Sequence, residues 1–166
     1  MLAERGGVGP ERRVRRLLSA DLPAVREILR QAPEASEWSE EVMKSTLDSS
    51  GALALVSERG EEITGCVFGS RVEEEAEILN LAVNVAFRRK GEGSELVRQL
   101  MREWEQRGVA RIFLEVRDSN ASAIRFYAGL GFRQAGKRRK YYSGPEEDAL
   151  VLERDVLPGN PQIGTT

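Results

Sequence analysis

The sequence contains no histidine and a single cysteine, Cys66, among its 166 residues. Without histidine, every mechanism that uses imidazole as a base or a nucleophile is excluded. One cysteine cannot form an intramolecular disulfide, and without histidine it also argues against a Cys/His metal site; no metal is expected. Cys66 lies in the apolar stretch "TGCVFG", which predicts a place in the core. An enzyme of this composition must rely on carboxylates, tyrosine or a cofactor.

Long hydrophobic runs are missing as well. No segment approaches the roughly 18 apolar residues that cross a membrane, and the basic N-terminus has only Leu17 and Leu18 as an apolar run, too short for a signal-peptide core. Strong charge of one sign is also absent, because the net charge is −2. That balance gives no basis for bulk binding of nucleic acid or anionic membranes. We therefore expect a cytoplasmic protein with no membrane partner and no direct nucleic-acid binding.

The length and composition fit one globular domain. A chain of 166 residues with 40% hydrophobic and 31% charged residues can bury one core, but is short for two domains. The first residues are rich in glycine, and the last ones combine glycine, proline and polar residues. We expect a disordered N-terminal extension over 1–12, a domain over 13–157 and a flexible tail over 158–166.

The hydrophobic periodicity predicts an alternation of strands and helices. Strands are expected at 13–20, 52–58, 63–72, 75–83, 111–116, 132–142 and 148–156. Helices are expected at 21–32, with Asp21 as N-cap, at 39–51, with Ser39 as N-cap, and at 94–108 and 120–131. Strands 75–83 and 111–116 are joined by a full helix and should therefore be parallel. The predicted fold class is α/β, a single-domain mixed sheet of about six to seven strands with about four helices.

The turn "RRKGEG", residues 88–93, joins a predicted strand to the clearest predicted helix. Its glycines let backbone amides approach a ligand, and the N-terminus of the following helix carries about half a positive charge. These features suit a phosphate, although a surface turn with solvated cations would have the same local sequence. The string lacks the G-x-x-x-x-G-K-[ST] pattern of a P-loop. It also fails the G-x-G-x-x-G dinucleotide pattern, whose third glycine would fall on Leu96.

A third pattern fits this turn. "RRKGEG" reads as R-x-x-G-x-G, which resembles the acetyl-CoA pyrophosphate loop of the GNAT acyltransferases, and "LEVRDSNASAIRFYAGLGF" is similar to the second half of that family. "NLAV", "EWSEEV", "KRRKYY" and "EDALVL" resemble the bacterial ribosomal-protein-alanine N-acetyltransferase (RimI) branch. The resemblance covers roughly residues 14–156 and implies the GNAT fold. The sequence departs from the family at Glu92, which places a negative charge in the loop, and at Ser94, where arginine is frequent and where serine can cap the helix.

The resemblance implies acetyl-CoA as cosubstrate. It assigns the pantetheine arm and the thioester carbonyl to the backbone of the "NLAV" strand end, with the Val83 amide as oxyanion donor. Asn120 would hydrogen-bond the cofactor, cap its helix, or both. The implied cofactor-binding residues are Leu81, Ala82, Val83, Arg88, Arg89, Lys90, Gly91, Glu92, Gly93, Ser94, Asn120 and Tyr127.

Two side chains are candidates for the chemistry. Strand alternation in "RIFLEV" separates Glu115 from the apolar residues on the other face. Since parallel strands usually have both faces covered, Glu115 is either half of an ion pair, with Arg117 or Arg125, or a functional carboxylate. Tyr127 lies seven residues after Asn120 on a helix, where packing alone would explain it. The resemblance implies that Glu115 is the general base and Tyr127 the general acid.

Two further stretches allow more than one interpretation. The cations "KRRK" at 137–140 are either a solvated strand end or a contact for the 3′-phosphate of CoA or for RNA. Trp38 is expected to be a partly buried anchor in a segment that similar proteins place near the acceptor groove. The resemblance implies acetyl transfer to a protein N-terminal α-amine, alanine of a ribosomal protein first, by direct attack in a ternary complex. The alternatives are acetylation of a small amine or a lysine side chain, and a catalytically silent acyl-CoA-binding module.

Overall fold

The computed structural model describes residues 9–32 and 35–156, and within these ranges the chain forms seven strands and four α-helices. The strands are β1 (Arg12–Arg16), β2 (Ala52–Arg59), β3 (Glu62–Val72), β4 (Glu75–Val83), β5 (Arg111–Arg117), β6 (Arg133–Tyr142) and β7 (Glu147–Asp155). The helices are α1 (Leu22–Gln31), α2 (Glu40–Asp48), α3 (Glu92–Gln106) and α4 (Ala121–Gly129), with two short 3₁₀ turns at Ser19–Asp21 and Val85–Phe87.

Most of the predicted terminal segments lie outside these ranges. Residues 1–8 and 157–166 are not described, so the extension predicted over 1–12 and the tail predicted over 158–166 stay predictions. Strand β1 begins at Arg12, one residue before the predicted domain start. Among the described residues, no helix combines the length and apolar character needed to span a membrane.

All seven strands form one sheet in the order β1-β2-β3-β4-β5-β7-β6. Every neighbouring pair is antiparallel except β4 and β5, which are parallel as the connecting helix α3 predicts. The mixed α/β sheet with four helices is therefore confirmed. The parallel pair is short, because only residues 75–77 and 111–113 are in register. Beyond them β4 and β5 diverge and leave a wedge in the middle of the sheet.

Helix α3 covers one face of this sheet. Its apolar stripe is buried against β2, β3 and β4 and consists of Leu96, Val97, Leu100, Met101 and Trp104. Burying side chains of this size contributes about 1.5–3 kcal/mol each. The indole of Trp104 lies directly over Gly69, where a Cβ would overlap the ring. A glycine is therefore needed in β3 for α3 to pack this closely. The helix ends at Gln106, and Gly108, two residues further on, has a φ of +80°.

Helices α1 and α2 cover the opposite face and form a second core cluster. Alternation along β3 directs Cys66 and Phe68 into this cluster, whereas Val67 joins the cluster under α3. Cys66 is 0% exposed, which confirms its predicted place in the core. Burial raises the pKa of its thiol to about 12, so the thiol stays protonated and unreactive at neutral pH.

Asp21 is the N-cap residue of α1, as predicted, but its side chain makes no capping hydrogen bond to the helix. Its carboxylate instead accepts hydrogen bonds from Nη1 and Nη2 of Arg15, at 2.7 and 2.9 Å, and from the backbone N–H of Leu18. The hydrogen bonds from Arg15 lower the pKa of Asp21. The predicted cap at α2 is confirmed, since the hydroxyl of Ser39 accepts the N–H of Val42 at 3.2 Å.

Candidate active site

The wedge between β4 and β5 opens into a cavity of about 840 Å³. Its walls are the diverging halves of the two strands, the loop that leads into α3, and the first turns of α4. A shallower groove of about 570 Å³ lies between α3, the end of α4 and β7. The cavity in the wedge, and not that groove, contains the predicted site residues, with one exception.

Residues far apart in the chain meet at this cavity. Those of the predicted set that line it are Leu81, Ala82, Val83, Arg88, Arg89, Gly91, Glu92, Gly93, Ser94, Glu115, Asn120 and Tyr127. Lys90 is the exception, since its ammonium lies 5.5 Å from the centre of the Phe87 ring and it is not part of the cavity wall. The structure thus brings together twelve predicted site residues. Eleven of them are predicted for one role, either cofactor binding or catalysis, and Tyr127 is predicted for both.

The end of β4 offers backbone groups to the cavity. The backbone N–H of Asn84 donates to the carbonyl of Thr64 in β3, at 2.8 Å. Along a strand, the backbone N–H and C=O groups of successive residues point alternately to its two edges. The N–H and C=O groups of Val83 and Leu81 therefore point to the other edge, where β5 has diverged. In agreement with this, the Val83 carbonyl faces Nε of Arg88 at 3.5 Å. A ligand with alternating amide groups can add to this edge as another strand would.

The loop before α3 turns sharply at two residues in the left-handed region. Arg89 has φ 61° and Gly91 has φ 83°. Gly91 is the N-cap, so α3 begins at Glu92, two residues earlier than predicted, and Ser94 lies in the first turn rather than at the cap. The first helical hydrogen bond runs from Glu95 N–H to the Gly91 carbonyl, at 3.1 Å. The N–H groups of residues 92–94 precede it and have no acceptor within the helix, which is the usual setting for a bound anion.

Glu92 does not present its charge to the cavity, contrary to the expectation from sequence. The residue is 1% exposed, and its carboxylate is turned into the sheet, where it accepts hydrogen bonds from Arg59 and Thr64. The expected repulsion of an anion in the loop is therefore offset by a cation. Sequence spacing carries no sign of this arrangement, because Arg59 and Glu92 are 33 residues apart.

Glu115 lies on the wall of the cavity in β5, and its apolar neighbours Ile112, Leu114 and Val116 are buried, as alternation predicts. Its Oε1 is 3.2 Å from Nε of Arg138, on β6. The alternative ion pairs with Arg117 or Arg125 are not the ones formed; Arg117 pairs with Glu147, at 3.4 Å.

Glu77 and Tyr141 adjoin Glu115 and were missed by the sequence reasoning. A hydrogen bond to Glu115 raises the pKa of Tyr141. Burial, and then the charge of Glu115, raise the pKa of Glu77. Alternation in "EAEIL" does put Glu75 and Glu77 on one face, but only the register of β4 with β5 places Glu77 beside Phe113 and close to Glu115. The site is therefore an acidic centre balanced by Arg138.

Tyr127 is 6% exposed and lies in α4, where its ring packs edge-to-face on Phe126 and Phe132 at 5.0 and 5.3 Å. Burial raises the pKa of its hydroxyl well above the ordinary value of about 10. The hydroxyl is therefore protonated at any pH near neutrality. The side chain of Asn120 caps the same helix by accepting the N–H of Ala123 at 3.0 Å, which confirms the capping role.

The basic run 137–140 lies on β6, where Lys137 is 3.1 Å from Asp118 and 3.6 Å from Asp148. Arg138 pairs with Glu115, and Lys140 is 3.9 Å from Glu146, so three of the four cations form ion pairs. None of residues 137–140 is part of the cavity wall. Trp38 packs edge-to-face on Phe68 at 5.1 Å, in agreement with the predicted anchor. The residues before it, 35–37, form part of the cavity wall, and the Ser36 carbonyl there accepts Nδ2 of Asn80 at 2.9 Å.

Comparison with known proteins agrees with this architecture. The model of the acetyltransferase (GNAT) family matches residues 22–132. The [ribosomal protein bS18]-alanine N-acetyltransferase of Escherichia coli strain K12 is 37% identical over 138 residues, which are 82% of this chain and 92% of that protein.

Solved structures show the same fold. The crystal structure of the ribosomal-protein-S18-alanine N-acetyltransferase of Escherichia coli has a TM-score of 0.82 and 32% identity, and the match covers 93% of this chain and all of that one. The YncA protein of Salmonella typhimurium, solved with its cofactor acetyl-CoA, has a TM-score of 0.75 at 19% identity, with 93% and 99% of the two chains covered. The family match and the E. coli relative show that this chain is an N-acetyltransferase and belongs to the acetyltransferase (GNAT) family.

Proposed function

We propose that this enzyme transfers the acetyl group of acetyl-CoA to a protein N-terminal α-amine, with alanine first, as on a ribosomal protein. One observation carries the proposal: the wedge between β4 and β5 joins an anion-binding loop to Glu115 and Tyr127 in a single cavity. The identity to an enzyme named for alanine acetylation of a ribosomal protein supports the acceptor. The reaction would take place in the cytoplasm, where ribosomal proteins are made.

The loop and the edge of β4 suit the two halves of acetyl-CoA. The N–H groups of residues 92–94, the αL turn at Gly91 and the nearby arginines would bind the diphosphate. The free edge at Leu81 and Val83 would bind the amides of the pantetheine arm. The N–H of Val83 would then donate to the thioester carbonyl oxygen and stabilise the negative charge that develops there.

The remaining residues would move protons. The amine attacks the thioester carbon directly in a ternary complex; a C–N bond forms and the C–S bond breaks. Glu115 accepts, through water, a proton that the amine loses, and Tyr127 gives its proton to the departing thiolate. Cys66 is fully buried and is not part of the cavity wall, so the proposal includes no acyl-cysteine intermediate.

Proton chemistry favours the α-amine as acceptor. An α-amine has a pKa of about 7.7–8.0 and a lysine amine one of about 10.4, so lysine costs roughly 3.4 kcal/mol more to deprotonate. A carboxylate acting through water deprotonates the more acidic group, the α-ammonium, more readily than the ammonium of lysine. Residues 35–37 form part of the cavity wall, and a small first residue would suit limited room beside the attacking nitrogen.

The acceptor is tested by comparing kcat/KM on matched substrates. We expect a peptide with a free N-terminal alanine to exceed the same peptide with a blocked N-terminus and one internal lysine, and to exceed a set of polyamines, by about tenfold or more, since the difference in deprotonation free energy corresponds to more than that. If kcat/KM is tenfold or more higher for the blocked peptide or for a polyamine, the acceptor is a lysine side chain or a small amine instead. A protein without turnover on the whole panel would favour a silent acyl-CoA-binding module.

Binding of acetyl-CoA in the loop is tested by thermal unfolding. Acetyl-CoA at about 100 times its Kd should raise the Tm of the enzyme by roughly 5–10 °C, because it binds only the folded state. Gly93→Leu should abolish the shift. A Cβ at Gly93 would meet Phe126 and Val83 at 3.4 and 3.5 Å, ordinary contact distances, so the variant can fold while the side chain occupies the ligand's place.

The matched control is Gly129→Leu, also in a helix but outside this cavity, at a position where a Cβ meets nothing within 4 Å. It should keep the full shift. Gly91 is less informative, since its φ of +83° makes any larger residue strained with or without ligand. An undiminished shift in Gly93→Leu would mean that the diphosphate binds elsewhere.

A further inference from the structure

A buried carboxylate lies at the first residue of α3, behind the loop proposed to bind the diphosphate. Oε1 of Glu92 accepts hydrogen bonds from Nε and Nη2 of Arg59, at 2.9 and 2.7 Å. Oε2 accepts the hydroxyl of Thr64 at 3.0 Å, and the hydroxyl of Ser57 lies 2.8 Å from that of Thr64. A carboxylate this deep is costly unless it is paired and hydrogen-bonded, and here it is both.

The same network ties the loop to the edge of the sheet. Nη1 of Arg12 donates to the carbonyl of Lys90 at 3.1 Å and lies 3.7 Å from Oε1 of Glu92. Strand β1, through Arg12, therefore holds Lys90, the residue before the left-handed turn at Gly91. Arg59 of β2 and Thr64 of β3 hold Glu92, the residue after it. The turn is fixed at both ends by groups that are not part of the cavity wall.

Two consequences for an anion follow from this geometry. The side chain of Glu92 is turned inward, which leaves the N–H groups of residues 92–94 directed at the ligand side of the helix terminus. The guanidinium of Arg59 also offsets a negative charge only one residue from that terminus. Without Arg59, the carboxylate would keep only the longer ion pair with Arg12, at 3.7 Å, and would repel a diphosphate more strongly across a short, weakly screened distance.

We infer that Arg59 is a positioning residue for the diphosphate of the cosubstrate, acting through Glu92: it turns the Glu92 carboxylate into the sheet and neutralises it, so that the loop accepts an anion. This role rests on the proposed function, because it requires that acetyl-CoA binds at the loop. It also accounts for an acidic residue at a loop position where a negative charge should weaken binding.

The test compares two acetyl donors, acetyl-CoA and acetyl-pantetheine, which share the thioester but differ in the diphosphate and nucleotide. The quantity is the ratio of kcat/KM for the first donor to that for the second. Arg59→Gln should lower this ratio about tenfold, through KM for acetyl-CoA rather than kcat, a size typical of coupled buried charges. Adding Glu92→Gln to that variant should restore the ratio to within about threefold of the wild type, because the negative charge that Arg59 offset is removed as well.

Arg16→Gln is the matched control. Like Arg59, Arg16 links a strand of the sheet to a glutamate of α3, here β1 to Glu103 at 2.8 Å, but at a distance from the loop. It should leave the ratio unchanged.

If Arg59→Gln does not fold, Arg59→Lys is used in its place. The ratio of kcat/KM for the two donors should then fall by only about threefold, and Glu92→Gln should again reverse the fall.

Equal losses of kcat/KM with both donors would show that Arg59 has only a structural role and would overturn the inference. A failure of Glu92→Gln to restore the ratio in Arg59→Gln or in Arg59→Lys would also overturn it. A wild-type enzyme that uses the two donors equally well would overturn the diphosphate site itself, and with it the role of Arg59. Only in that last case does the proposed cofactor site fail, so the two failures are distinguishable.

Discussion

Glu115→Gln should lower kcat by about 10²–10⁴ at neutral pH, the usual contribution of a general base. Glutamine keeps the shape of the side chain and can still contact Arg138, but it cannot accept a proton from the acceptor amine. The variant should bind acetyl-CoA normally, because Glu115 lies in β5, across the cavity from the loop at α3. Steady-state rates with an N-terminal alanine peptide, at saturating acetyl-CoA, measure the loss.

The loss of rate in Glu115→Gln should depend on pH. The fraction of free amine rises as the pH passes the α-amine pKa of about 7.7–8.0. A base is then needed less, so part of the loss in Glu115→Gln should return above about pH 8, whereas the wild-type rate should gain less over the same interval. A constant ratio of the two rates across this interval would assign Glu115 to structure rather than to proton transfer.

Glu153→Gln is the control. Glu153 resembles Glu115 in side-chain exposure, 16% against 15%, and in its pairing with an arginine, Arg133 at 3.0 Å. It lies on β7, outside the cavity wall. A loss of rate as large in this variant as in Glu115→Gln would show that removing any such ion pair damages the enzyme.

Tyr127→Phe should lower kcat by about 10²-fold or more, because the departing thiolate loses its proton donor. The ring would still pack on Phe126 and Phe132, so the fold should be kept. High pH should not rescue this variant, since the missing group is an acid. Burial keeps the pKa of the wild-type hydroxyl above the range tested, so the wild type should not lose the acid there either.

Tyr142→Phe gives the comparison within the same cavity. Tyr142 also lines the cavity, but its ring is held at 4.4 Å from the guanidinium of Arg117, a contact that phenylalanine keeps. A much smaller change in kcat is expected. Rates near the wild-type value in both Glu115→Gln and Tyr127→Phe would leave proximity and orientation as the whole of the catalysis.

Several features of the fold and the site could be predicted from the sequence because they depend on short-range periodicity. The stripe of α3 repeats at helical spacing, and "RIFLEV" alternates with period two, so the buried faces of both elements were foreseen. The parallel pairing of β4 and β5 followed from the length of their connection. The turn before α3 could be placed as well, because its glycines and its position before a helix are local features; that it binds an anion stays a prediction.

The tertiary structure alone decided which charges meet. Arg138 and not Arg117 pairs with Glu115, since the antiparallel register of β5, β7 and β6 brings residues 23 positions apart together. Glu92 turns inward because Arg59 and Thr64 lie behind the loop. The carboxylate of Asp21, at the N-cap of α1, accepts hydrogen bonds from Arg15 and none from the helix. The cavity itself exists because β4 and β5 separate after three paired residues. Backbone periodicity is set by neighbours in the chain, whereas the partner of a charge is set by strand register and packing, which local sequence does not encode.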